Sequence, residues 1–199
     1  MRIFIVGAAG TIGRAVAREL GARHDVVSGG RSSGDVRLDL AAPDSIRAAF
    51  AELGPVDAVV SAAGNVHFGA LEEMGPEEYG LGLRDKLMGQ VSLVLLGRDA
   101  VRDGGSFTLT TGVLDRDPVR MGSSASMVNG ALNAWVRAAA IELPRCLRIN
   151  AVSPGVIEEA MPDYGPFFRG FEPVPAARAA LAYAKSVEGA QTGQVYRVD

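Results

Sequence analysis

Seven residues near the start of the chain, Gly7-Ala8-Ala9-Gly10-Thr11-Ile12-Gly13, have the types and spacing of a loop that cradles phosphate. Residues without bulky Cβ groups permit a tight turn. A helix opening there offers free N–H groups and a partial positive charge to a pyrophosphate. Gly7, Ala9, Gly10, Thr11, Ile12 and Gly13 are therefore expected to hold the phosphates of a dinucleotide. The group that reads the adenosine ribose should stand where the second strand ends. That strand exits into Gly29-Gly30-Arg31-Ser32-Ser33, and no carboxylate follows until Asp35. An acidic residue there would favour NAD(H). The planar fork of Arg31, helped by the hydroxyls of Ser32 and Ser33, suits an extra phosphate instead. NADP(H) is accordingly expected in preference to NAD(H). The plain alternatives are a glycine-rich turn without a ligand and a solvated loop arginine.

These residues can act only if the chain folds them together. Ile3-Phe4-Ile5-Val6 is a continuous apolar run, the pattern of a parallel strand buried on both faces. Ile12, Val16 and Leu20 follow at helical spacing. Val26-Val27, Val36 to Leu40, Ala58 to Val60, Phe107 to Thr110, Leu147 to Val152 and Val195 to Val198 read as further strands. Ile46, Phe50 and Leu53 mark one intervening helix. Long helices are expected from about Pro76 to Val101 and from Ser123 to Leu143, and another from Pro175 to Ser186. This alternation predicts an α/β fold: one Rossmann-like doubly wound parallel sheet of about seven strands, helices on both faces, residues 1–199 as one domain. Ligands should lie beyond the carboxyl ends of the strands, where their order reverses.

Composition narrows the function. Of 199 residues, 48% are hydrophobic and 22% charged, ordinary globular values. The net charge of −3 argues against a nucleic-acid partner. One cysteine, Cys146, and two separated histidines, His24 and His67, offer neither an intramolecular disulfide nor a metal centre. No apolar run has the length of a membrane span, and the first residues lack the features of a leader. The expected compartment is the cytoplasm.

Four further segments resemble short-chain dehydrogenases/reductases, and with the glycine loop the resemblance covers essentially the whole chain. Asp39-Leu40 stands where that family places an aspartate beside the adenine. Ser61-Ala62-Ala63-Gly64 resembles its Asn-Asn-Ala-Gly turn. Asn150-Ala151-Val152-Ser153-Pro154-Gly155 resembles its Asn-x-Val-x-Pro-Gly, and Thr192-Gly193-Gln194-Val195 its lead into the last strand. The resemblance implies that Asp39, Leu40, Ala62, Ala63, Gly64, Pro154 and Gly155 also bind cofactor. It further implies a substrate lid, here only the short stretch Val156 to Val174.

The family's proton-relay residues are missing. Aligning Asn129-Gly130-Ala131-Leu132 with the family's Lys-Ala-Ala-Leu puts Asn129 at the lysine, Ala125 at the tyrosine and Gly112 at the serine. The helical asparagine aligns with Lys86. Ala125 has no ionisable group, and Asn129 carries no charge to depress a neighbour's pKa. Three replacements are candidates. Lys86, on a helix that faces the active site in the family, could restore a positive charge or donate a proton. Thr111 could lend a hydroxyl. His67, in the loop leaving the fourth strand, could serve as an acid or base. The bland alternatives are a lysine reaching for solvent, a threonine bonded to backbone and an exposed histidine.

The function expected is an NADP(H)-binding oxidoreductase acting on a small carbonyl or alcohol substrate with a non-standard active site. Two alternatives are a catalytically inactive NADP(H)-binding or sensing protein, and a non-redox isomerase or cyclase on the same fold. Val156, Ile157, Met161, Phe167, Phe168 and Phe171 suit an apolar ligand or simple core packing. Leu83, Leu87, Val91 and Leu95, with Leu132, Trp135, Val136, Ala139 and Leu143, give the two long helices much apolar surface. In the family these helices form a dimer contact, so a homodimer or homotetramer is expected.

Overall fold

Phe4 and Val6 face one hydrophobic core and Ile3 and Ile5 the other, so β1 (Arg2–Val6) is buried on both sides. This is the place that its wholly apolar run dictates. The computed structural model describes residues 1–199. Around β1 stand β2 (Asp25–Gly30), β3 (Val36–Arg37), β4 (Val56–Ser61), β5 (Val101–Thr110), β6 (Arg148–Pro154) and β7 (Val195–Val198). The seven strands form one sheet in the order β3-β2-β1-β4-β5-β6-β7. Every pairing is parallel, so each connection must cross a face of the sheet.

The crossovers are helical. α1 (Thr11–Gly21) and α7 (Ala176–Glu188) pack on the Ile3 and Ile5 face through Val16, Leu20, Ala180 and Tyr183. α2 (Pro43–Leu53), α4 (Gly89–Gly97) and α5 (Ser123–Glu142) cover the opposite face with Ile46, Phe50, Leu93, Leu132 and Val136. The order reverses between β1 and β4, which opens a crevice at their carboxyl ends.

The helix anticipated from Pro76 to Val101 is in fact three segments: α3 (Pro76–Gly82), a π-helical turn (Leu83–Met88) and α4. It also stops short, because the Val56 N–H bonds the Ala100 carbonyl and Val101 pairs with Val56. β5 therefore starts six residues earlier than its apolar run suggests. β3 is shorter than anticipated, since the Asp39 carboxylate turns the chain by accepting the Ala41 N–H. After β6 the short lid holds α6 (Met161–Tyr164), and an Ile157–Val174 bridge closes its base. Leu83 and Leu95 remain more than a third exposed, whereas Val91, Leu132 and Val136 are buried. No helix is long and apolar enough to cross a membrane.

Candidate functional site

The loop from β1 to α1 is built for close approach. A Cβ on Gly13 would lie 2.0 Å from the Gly7 carbonyl oxygen, so no larger residue lets the helix seat there. Gly10 caps α1 without a side-chain bond, and its first turn contains no acid. The N–H groups of Thr11, Ile12 and Gly13 thus have no intrahelical acceptor and face the crevice with the positive end of the helix. The Arg14 guanidinium bonds the Ala9 carbonyl and steadies the loop, a contact that glycine spacing alone does not reveal.

Two adjoining cavities occupy the crevice, and Ala63, Gly64 and Asn65 line both. The smaller, about 140 Å³, is bounded by Gly7, Gly30, Arg31, Asp39, Leu40 and Asp85. Arg31 is exposed and forms no ion pair. Asp35, the nearest downstream carboxylate, is occupied by the Ser28 N–H at 2.9 Å and the Ser28 hydroxyl at 2.7 Å. Those bonds hold its pKa below the usual carboxylate range. Ser32 is exposed in the same loop but does not line the cavity. The cavity thus holds one cation, Arg31, beside two carboxylates, Asp39 and Asp85, a lining that fits the adenosine end of a nicotinamide dinucleotide.

The larger cavity, about 330 Å³, is bounded by Thr11, Ile12, Pro154 and Gly155 on one side. Val66, Phe68, Val113, Leu114, Val156 and Phe168 make much of its remaining wall apolar. Phe68 stacks edge-on against Tyr164 at 5.6 Å and packs on Phe167 at 5.0 Å, joining the lid to the loop after β4. Its polar groups are few. Lys86 projects from the π-helical turn and donates to the Thr111 carbonyl at 3.4 Å, with no carboxylate in ion-pair range. Burial alone lowers its pKa to about 8.

Asn129 is buried and donates from Nδ2 to the Gly112 carbonyl at 3.3 Å, while its Oδ1 has no partner. Thr111 lines the cavity, but its hydroxyl leans back to the Val152 carbonyl at 3.4 Å. Ala125 and Gly112 complete the wall without an ionisable group. Tyr164 is the only phenol on it.

Lys86 is held by contacts that local sequence does not disclose. The fully buried Gln90 accepts the Thr110 N–H at 2.8 Å and donates to the Thr110 carbonyl at 2.9 Å and the Lys86 carbonyl at 3.1 Å. Gly64 has φ +138, and a Cβ there would lie 2.8 Å from Lys86 Cγ. Asn65 donates to Asp85 at 2.6 Å, tying the turn to the end of β4. His67 is exposed and lies outside the cavity wall. The Glu159 carboxylate accepts the Ala176 N–H at 2.9 Å, at the start of α7. No group of three His, Cys, Asp or Glu residues is placed to hold a metal.

A helix N-terminus with free N–H groups, an arginine-bearing pocket and an apolar chamber with one ammonium thus share one crevice. Residues 7–199 match the family profile described as Enoyl-(Acyl carrier protein) reductase. A Listeria innocua protein of known crystal structure superposes with a TM-score of 0.99 at 50% identity, each chain covered in full. A small-chain dehydrogenase in complex with NADPH has a TM-score of 0.89 at 25% identity, over 100% of this chain and 96% of that one. The versicolorin reductase of Emericella nidulans is 27% identical over 182 residues, which is 79% of this chain and 69% of that protein.

Proposed function

The chain belongs to the short-chain dehydrogenase/reductase family, and from that premise we propose an NADP(H)-dependent oxidoreductase acting on a small apolar carbonyl or alcohol. The supporting observation is the pairing of two cavities across Ala63-Gly64-Asn65, one bearing Arg31 and the other Lys86. Thr11, Ile12 and Gly13 hold the diphosphate with backbone N–H groups, and Arg31 with Ser32 takes the ribose phosphate. Asp39 and Leu40 border the adenine. Ala62 to Gly64 and Pro154-Gly155 flank the nicotinamide. When bound, the cofactor supplies the hydride chemistry.

The chain's own task is to orient the substrate and manage one proton. Lys86 keeps a proton on Nζ inside an apolar chamber, where it can pass to a substrate oxygen as charge develops there. Asn129 Oδ1 accepts a hydroxyl, and Thr111 fixes Lys86 through its carbonyl. The aromatic wall of Phe68, Tyr164 and Phe168 excludes water. A homodimer or homotetramer completes the proposal, through the exposed Leu83 and Leu95.

Fluorescence titration with NADPH and NADH should show the phosphorylated nucleotide tighter by tenfold or more, about 1.4 kcal/mol. Arg31→Ala should erase that gap. NADPH oxidation with a panel of apolar aldehydes and ketones then tests turnover. Ala125 and Gly112, which bring no acid or base, favour a second reading in which the protein holds NADP(H) without reacting it. Tight binding with no turnover across the panel would select that reading; failure to bind either nucleotide would defeat both.

A further inference from the structure

We infer that Lys86 makes the crevice select the reduced, uncharged nicotinamide over the oxidised, positively charged one. This rests on the cofactor reading above. Its basis is a cation without a counter-ion. The sole polar contact of the Lys86 ammonium is one carbonyl, that of Thr111.

No carboxylate around it forms an ion pair with the ammonium. Asp85, on the same turn, points its carboxylate at Asn65 and borders the other cavity. From α5 comes only Asn129, an amide. From β5 come Thr110 and Thr111. Behind Thr110, from α7, the Tyr183 hydroxyl bonds Thr110 Oγ1 at 2.6 Å, and burial pushes its pKa up, so it stays neutral. From the lid, Tyr164 lines the chamber, while Glu159 is occupied at Ala176. Asp115, on the turn after β5, is engaged by Asn133 and Arg116. His67 lies outside the wall.

An oxidised nicotinamide brings a second positive charge into a chamber of about 330 Å³ that already holds an ammonium with no ion-pair partner. Once the nicotinamide covers the half-buried Lys86, like charges within one chamber repel more strongly than in water. The reduced ring carries no charge and escapes this repulsion. The bound protein therefore favours NADPH, and the spent cofactor leaves readily. Selection requires the ammonium form, so it fades as pH rises through about 8, where Lys86 loses its proton.

The test measures dissociation constants for NADPH and NADP+ at about pH 7 and about pH 9.5, bracketing that titration. The wild type should bind NADPH up to about tenfold more tightly at the lower pH, the limit set by the cost of displacing the Lys86 proton there, with the gap closing at the higher. Lys86→Met should show little gap at either pH. Lys86→Arg, which cannot deprotonate, should keep it at both. Lysine NMR gives an independent readout, because Lys86 and Lys185 are the only lysines. NADP+ should lower the Lys86 pKa relative to NADPH. Equal affinities in the wild type at the lower pH, or an undiminished gap in a Lys86→Met protein that melts cooperatively, overturn the inference and leave the cofactor reading standing. Failure of both nucleotides to bind overturns both.

Discussion

At the residue scale, the composition of the basic side chains gives Lys86 its meaning. Of twenty Lys and Arg residues only two are lysines. An arginine in that chamber would stay charged under all conditions, whereas a lysine can release its proton when desolvated. The cost appears in stability. The folded pKa, about 8, lies below the ordinary 10.5, so the unfolded chain binds this proton more tightly. Stability is therefore reduced below about pH 8 and rises as pH climbs toward 10.5. Lys86→Met should be more stable than wild type at neutral pH by on the order of 2 kcal/mol, with the advantage shrinking by about pH 10. Urea unfolding at several pH values measures this, and parallel curves for the two proteins would count against a desolvated ammonium.

At the element scale, the glycine loop, the apolar β1 and the strand-helix alternation were all legible, because each is encoded by neighbours in sequence. Gly13 needed no tertiary knowledge, since only close helix seating demands a glycine three residues after another. The π-helical turn was not legible. It depends on Gln90 reaching Thr110, twenty residues away, and on Gly64 making room for Lys86. The true start of β5 was hidden for a similar reason, as Val101 is a strand residue only because Val56 pairs with it. The orphaned oxygen of Asn129 appears only once Gly112 and α5 meet.

Gln90→Leu should let the turn relax toward α-helical geometry, because the Lys86 carbonyl and both Thr110 backbone groups lose partners. Stability should fall by about 2 to 3 kcal/mol, and the Lys86 NMR titration should move back toward ordinary lysine values. A stability loss with the titration unmoved would make Gln90 purely structural. Gly13→Ala should abolish nucleotide binding and lower the melting temperature, since the added methyl meets the Gly7 carbonyl at 2.0 Å.

At the scale of the whole molecule, one sheet order gathers the ends of β1, β2, β4, β5 and β6 at a single edge, so residues spread over most of the chain share a crevice. The outer surface is less settled within one chain. Leu95 is 48% exposed on α4, and Ile141 is 87% exposed near the end of α5. Burying such side chains is favourable by about 25 cal/mol per Å² of apolar area. Light scattering should give two or four times the chain mass, and charged substitutions at Leu95 should reduce it; a monomer at micromolar concentration would exclude the assembly.

The bridge between Ile157 and Val174 fastens both feet of the flap over the apolar chamber. A flap so tethered can swing only as one body about that clasp. Rotation of the Phe68 and Tyr164 rings at its rim, a motion of nanoseconds, would widen the doorway without moving the clasp.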